Sequence, residues 1–193
     1  MQFVIANTFQ DSLARLTGDE QKAVKTTAFD LQLNPAHPGL KMHKLDKAKD
    51  PRFWSIRVNL DLRLIVHRTD DSLLLCYVDH HDPAYEWAGR RKVETHPKTG
   101  AAQLVEIRER VHEITVPRYI DAPATVVEKP RVFANTSESV LLQYGVPPEW
   151  MADVVAANED SLLDIVAHLP AEAAEALLNL ATGITPADRK SVV

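Results

Sequence analysis

The stretch FWSIRVNLDLRLIVHRTDDSLLLCYVDHH, residues 53–81, decides the fold. Its apolar residues recur with a period of two, which marks strands rather than helices. In Phe53–Val58, Trp54, Ile56 and Val58 share one phase, and Phe53, Ser55 and Arg57 share the other. In Leu62–His67, Leu64 and Val66 alternate with Arg63 and His67. Thr69-Asp70-Asp71-Ser72 reads as a turn. Leu73–Val78 is nearly all apolar, as a central strand requires. The spacing predicts an antiparallel meander that buries Trp54, Ile56, Leu64 and Val66 and turns Arg57 and Arg63 to the opposite face.

Upstream, Met1–Asn7 reads as a first strand. Phe9, Leu13 and Leu16 then fall on one face of a short helix. Thr17-Gly18-Asp19-Glu20 is a capping box, and Val24, Ala28 and Leu31 continue at helical spacing until Asn34-Pro35. A loop with Lys41, Lys44, Lys47 and Lys49 leads into the meander. Downstream, Asp82 as N-cap and Pro83 at the first position start a helix with Tyr85 and Ala88 on one side, ending at Arg90-Arg91-Lys92. The expected fold over residues 1–96 is α+β: a helical hairpin on a small antiparallel sheet, with helices on one face.

Residues 97–134 read as an extended connection. Leu104–Ile107 and Val111–Tyr119 are possible strands, and Pro117, Pro123 and Pro130 break the segment. Residues 135–183 predict a small all-α bundle of about four short helices, and residues 184–193 a tail. GVPPEWMADVVA and HLPAEAAEALLN align at an offset of 23 residues. Each places Pro near a helix start and Glu in its first turn, which two independently capped helices explain as well as a repeat does. Asn158 caps a helix between them.

A chain of 193 residues supports one good core or two small ones. No apolar run is long enough to span a membrane, and the N-terminus lacks the basic flank of a signal peptide. Cys76 is the single cysteine, which excludes an internal disulfide and fits a reducing cytoplasm. Its apolar setting makes it core rather than nucleophile, and Trp87 and Trp150 read as packing anchors. The charge of −5 is uneven. Residues 1–100 hold 15 Lys and Arg against 13 Asp and Glu, whereas residues 101–193 hold 7 against 14. Because cations on phosphates supply most nucleic-acid affinity, only the first half is a candidate nucleic-acid binder.

Two motifs carry chemistry. Arg57 and Arg63 side by side repel unless an anion lies between them. Phosphate fits the guanidinium fork, and structural pairing with Asp61, Asp79 or Glu86 is the alternative. Asp79-His80-His81-Asp82 is a metal site, a proton-transfer site or a strand end. The Asp-His-His tripeptide also occurs in manganese phosphoesterases, whose other aspartate motifs are missing here, so no metal and no cofactor is expected. A histidine titrating near neutrality suits a general acid.

The residues 53–74, FWSIRVNLDLRLIVHRTDDSLL, together with PGLKMHKL before them, resemble the RelE/ParE superfamily of toxins, specifically the YoeB branch. The resemblance covers about residues 1–92 and implies the same helical hairpin and sheet. Such toxins bind the ribosomal decoding site and cut mRNA with the RNA 2′-hydroxyl as nucleophile. It implies that Arg63 is the catalytic arginine, Arg57 a basic strand position and His81 the histidine near the end of the toxin chain. Gly39 stands where the branch has a glutamate base, and Asp82 where it has a terminal tyrosine, unless Tyr85 substitutes from the helix.

The whole chain, through YGVPPEW, EDSLL and LPAEAAEALLNLATG, is also similar to the N-terminal region of UvrD/Rep-like superfamily 1 DNA helicases that begin with a toxin-like domain. No Gly-x-x-x-x-Gly-Lys-Ser/Thr is present, so ATP hydrolysis would need a motor domain elsewhere. The expectation is an accessory region that binds RNA or DNA through Lys41, Lys44, Arg57 and Arg63, with Arg63 and His81 as remaining catalytic residues and little cleavage. An active ribosome-dependent mRNA endonuclease is the alternative. The third reading is an interaction module that meets a motor domain or protein partner through residues 135–183.

Overall fold

Five strands form one sheet in the computed structural model, which describes residues 2–107 and 129–184: β1 (Gln2–Ile5), β2 (His43–Lys44), β3 (Phe53–Arg57), β4 (Leu62–Arg68) and β5 (Ser72–His80). Their order is β1-β5-β4-β3-β2. From β2 to β5 each strand pairs antiparallel with the next, as the alternation predicts. β1 joins the far side of β5 in parallel, so the sheet is an antiparallel meander with one parallel edge. A parallel partner needs a long crossover, and the helical hairpin lies in the connection that supplies it.

That hairpin is α1 (Asn7–Ala14) and α2 (Gly18–Leu33). The Thr17 hydroxyl accepts from the Glu20 amide, and the Glu20 carboxylate accepts from the Thr17 amide at 2.9 Å, which completes the capping box. Phe9, Val24 and Leu31 bury one face of the sheet together with Ile56, Leu62, Leu64, Val66, Leu73, Leu75 and Val78. A bulge keeps this face apolar. The β4–β5 register steps from Ile65↔Tyr77 to Val66↔Leu75, so Val78 returns to the side of Leu75. Cys76 sits at the step, fully buried, and burial pushes its thiol up. Trp54 is only half-buried at the margin of this cluster, not enclosed as predicted.

The opposite face is covered too. The helix α3 (His81–Gly89) buries Ala84, Trp87 and Ala88. Trp87 stacks on Tyr77 with ring centroids 4.6 Å apart and meets the edge of Phe53 at 6.1 Å. Helices on one face was therefore wrong. Phe53, Ser55, Ile65 and His67, on the face opposite Ile56, Leu64 and Val66, are all buried. The predicted cap also shifts. His80 precedes the helix without a side-chain cap, and Asp82 lies inside its first turn. Arg91 and Lys92 open a strand rather than end the helix.

Asp50 fixes the chain entering β3. Only 3% exposed, it accepts hydrogen bonds from the Arg52 amide (3.0 Å), the Arg52 guanidinium (3.1 Å) and the Val93 amide (3.0 Å). Burial opposes its charge, but the bonds from Arg52 and Val93 outweigh that and hold the carboxyl below its ordinary value.

The contacts divide the chain into two units, Met1–Val93 and Glu94–Val193. β6 (Arg91–Thr95) and β7 (Ala102–Glu106) form a separate two-stranded sheet. The rest of the second unit is helical: α4 (Glu138–Gln143), α5 (Met151–Ala156), α6 (Leu162–Val166) and α7 (Ala171–Ala181). Leu141, Val154 and Leu177 close its core with Val105. Gly145 ends the turn after α4 at φ +85°, where a Cβ would lie 2.6 Å from the Gln103 side chain. The Asn158 carboxamide accepts from the Asp160 and Ser161 amides and so caps the turn into α6. The possible strand Val111–Tyr119 and residues 185–193 of the tail lie outside the described residues. No helix among the described residues is long and apolar enough to cross a membrane.

Replacing Asp50 with Ala leaves the Arg52 and Val93 amides without their acceptor. Stability should fall by about 1–3 kcal/mol, measured as a lower urea midpoint with an unchanged slope. An unmoved midpoint would refute this role.

Candidate nucleic-acid interface

Cross-strand register places Arg57 directly opposite Arg63, and Arg63 opposite Asp79. The neighbouring row holds His43, Ser55, Ile65 and Tyr77. Ser55 and Arg57 are two residues apart on one strand, so the rows share a face and are separated by about 6.6 Å of strand rise. This is the face that α3 covers, since Tyr77 lies under Trp87.

Two like charges directly opposite one another destabilise a sheet. Here they are held by backbone oxygen. The Asn59 carbonyl accepts from Arg57 Nε at 3.0 Å and from Arg63 Nη1 at 3.2 Å. Arg63 also donates to the carbonyls of Leu60 (3.4 Å) and Leu62 (2.9 Å). The turn is set by the Asn59 side chain, which accepts from the Asp61 and Leu62 amides. Among the described residues neither arginine has an ion-pair partner. Of the carboxylates proposed as structural partners, Asp61 lies 3.5 Å from His80 Nε2, and Asp79 accepts from the Tyr77 hydroxyl and the His80 amide.

Beside the arginine row lies a chain of hydrogen-bonded rings in edge contact. His43 Nε2 is 2.8 Å from the Tyr85 hydroxyl, and His43 Nδ1 is 3.4 Å from the Lys41 carbonyl. In the tautomer protonated at Nδ1, Nε2 accepts the Tyr85 proton. Tyr85 also meets the edge of the His81 ring at 4.3 Å, and His81 Nδ1 lies 2.6 Å from Asp82 Oδ1. A carboxylate on Nδ1 orients the ring.

The residues singled out from the sequence thus divide. Arg57 and Arg63 share one row, and His81 begins α3 two residues beyond Asp79, the partner of Arg63. Lys44 pairs with Trp54, on the reverse face of the sheet. Lys41 is exposed in a left-handed conformation at φ 45°. His43 was missed and Tyr85 noted only as a substitute. β2 is two residues long and shows no alternation of its own. Gly39 lies in a short 3₁₀ turn, Pro38–Leu40, where an added Cβ would approach the His37 ring to 2.9 Å.

His80 is the electrostatic junction of this end of the sheet. Its Nδ1 lies 3.2 Å from Asp79, and its Nε2 lies 3.5 Å from both Glu20 and Asp61. The hydrogen bond to Asp79, with the nearby Asp61 and Glu20 charges, raises its pKa. Among the described residues no group of His, Cys, Asp and Glu is arranged to hold a metal ion.

No family model matches the chain, and no curated protein matches it. Several solved structures are similar to it. The toxin–antitoxin complex RelBE2 from Mycobacterium tuberculosis is 23% identical, with 42% of this chain and 96% of that one covered and a TM-score of 0.35. The RelB–RelE antitoxin–toxin complex from Methanococcus jannaschii is 19% identical over 44% and 96% of the two chains, with a TM-score of 0.37. The YoeB/ParE toxin from Agrobacterium tumefaciens is 15% identical over 42% and 99%, with a TM-score of 0.36.

The raised pKa of His80 fixes the sign of one pH effect. A group whose pKa is higher in the folded state stabilises below its unfolded value, about 6.5 for histidine. That contribution disappears as pH rises through the folded value. Thermal midpoints of the native protein and the His80→Gln variant should therefore differ most in mild acid and converge in alkali. A gap that widens with rising pH would overturn the assignment.

Proposed function

We propose that the first unit binds single-stranded RNA across the Arg57–Arg63 row and cleaves it through the 2′-hydroxyl. The observation that carries this reading is the pair of adjacent guanidiniums sharing one carbonyl oxygen, with no carboxylate on either. A phosphodiester offers the same acceptor geometry with a full negative charge. In the reaction the 2′-oxygen bonds to phosphorus, a 2′,3′-cyclic phosphate forms and the 5′-oxygen leaves. One group must take the 2′ proton and another must supply a proton to the 5′-oxygen. The Tyr85 hydroxyl takes the 2′ proton as its own proton passes to His43 Nε2, so His43 is the base acting through Tyr85, and His81, held by Asp82, is the acid. Arg63 and Arg57 stabilise the charge that builds on phosphate. Weak cleavage was expected because Gly39 cannot act as a base. His43 supplies that function from the neighbouring strand.

A second reading, an accessory role in a helicase-type protein, is supported by the second unit. It carries eight acidic residues and no Lys or Arg between Val132 and Pro186, a charge that repels nucleic acid and suits a protein partner. Glu172 and Glu175 replaced by Gln should leave RNA cleavage unchanged if that unit serves a partner. A changed rate would tie the acids to the nuclease.

Cleavage of a labelled single-stranded RNA, alone and on programmed ribosomes, tests the main reading. Arg63→Ala should lower the rate by about 10²–10³-fold. His43→Ala and His81→Ala should each lower it by about 10²–10⁴-fold. Binding should weaken with salt, with a logarithmic slope of about −0.7 per phosphate contacted. No cleavage by the native chain in either format would refute the nuclease, and salt-independent binding would refute the phosphate contacts.

A further inference from the structure

On the reverse face from Arg57 and Arg63, a cavity of about 250 Å³ opens between the end of α2 and β3. It is lined by Pro35, Ala36, His37, Pro38, Lys41, Met42, Trp54 and Arg68. Its chemistry is one-sided, because no lining residue is acidic. The Arg68 guanidinium lies 5.6 Å from the Trp54 ring centroid and donates to Met42 Sδ at 3.7 Å. Among the described residues neither Arg68 nor Lys41 has an ion-pair partner. His37 Nδ1 accepts from the Gly39 amide at 3.1 Å, so a neutral His37 ring carries its proton on Nε2 and is a further donor. Every polar side chain here donates.

Lys41 adds a second, independent sign. It is the single non-glycine residue with positive φ among the described residues, at 45°. A β-carbon in that conformation is strained, and such strain gathers at ligand sites. The strain places a cation at the rim of a cavity whose apolar wall is an indole face, two prolines and a methionine.

We propose that this cavity binds a nucleotide, with the base against Trp54 and the phosphate between Arg68 and Lys41. A planar ring suits the indole and the guanidinium plane, and an anion rich in acceptors suits a wall of donors. Neither a purely apolar ligand nor a cation satisfies both halves. The assignment extends the nucleic-acid reading of the first unit, but it rests on different residues. β2 is the edge between the two places, with His43 paired to Ser55 on one face and Lys44 to Trp54 on the other. A nucleotide here is either a unit of a strand that rounds that edge or a free mononucleotide.

The full chain titrated with AMP and with an eight-nucleotide oligoadenylate RNA distinguishes these sources. Tryptophan fluorescence and RNA anisotropy are the readouts, at low salt. Ligand should quench the native protein and leave Trp54→Leu unquenched. Because base stacking contributes about 1–3 kcal/mol, Trp54→Leu should weaken binding by roughly tenfold or more. Arg68→Gln, which keeps the packing of the chain stem, should weaken it comparably. Quenching by AMP and by RNA assigns a free-nucleotide pocket, and quenching by RNA alone assigns a strand subsite. RNA binding that Arg63→Ala weakens but Trp54→Leu and Arg68→Gln leave intact overturns the pocket and keeps the proposed function. Quenching at Trp54 with no dependence on Arg63 keeps the pocket and removes that function. No quenching by either ligand overturns the pocket.

Discussion

A strand covered on both faces can carry a cation only at its ends. β4 obeys this constraint along its whole length. Leu64, Ile65, Val66 and His67 are buried, and the half-exposed Arg63 and Arg68 bracket them. The two arginines are five residues apart, so strand alternation sends them to opposite faces. Arg63 joins Arg57 on the α3 side, and Arg68 joins Trp54 on the hairpin side. Two separate basic places therefore follow from one buried strand. Neither cation could move inward without desolvating an unpaired charge.

The cover on the α3 face decides which part of the sheet stays open. Trp87 lies flat on Tyr77 and edge-on to Phe53, while His67 is buried against Phe53 at 5.6 Å. Burial lowers the His67 pKa, against the opposing pull of Asp50 3.4 Å away, and so favours the neutral ring. The row of Arg57, Arg63 and Asp79 lies at the other end of the same strands, where α3 begins. The first turn of α3 presents His81 and Asp82, and Tyr85 follows one turn later on the same side. A helix started one or two residues later would break this arrangement, so the end of β5 positions the rings as well as the sheet.

Much of this was legible in the sequence because it is local. The Thr17–Glu20 box, the alternation in residues 53–67 and the turn at residues 69–72 each state their structure within a few residues. The face that α3 covers was not legible. Ser55 and His67 look like solvent positions, and nothing in β3 or β4 says that Trp87 arrives from 34 residues beyond Phe53 to enclose it. Asp82 looks like a cap because Asp-Pro is a common helix start, yet its carboxylate is at His81. His43 is legible only after β2 is paired, when it comes opposite Ser55 and within reach of Tyr85. Lys41 and Lys44 resemble the rest of a basic loop in sequence. Left-handed backbone and strand pairing, which composition does not reveal, set them apart from Arg57 and Arg63.

Why the arginine pair stays free of carboxylates is the remaining physical question, since Asp79 is directly across from Arg63 and Asp61 is two residues before it. The answer is competition. His80 gathers Asp79, Asp61 and Glu20, and Tyr77 donates its hydroxyl to the other oxygen of Asp79. Burial raises the Tyr77 pKa, and its bond to Asp79 raises it further, so the phenol remains a donor. Asp79 is itself held below its ordinary value against the cost of burial by its bonds from His80 and Tyr77. The acids are thus satisfied on the hairpin side and along β5, and the arginines are left with neutral carbonyls. A carbonyl dipole orients a guanidinium but does not neutralise it. The charge at the Arg57–Arg63 row is left unneutralised because His80 and Tyr77 hold the acids around it.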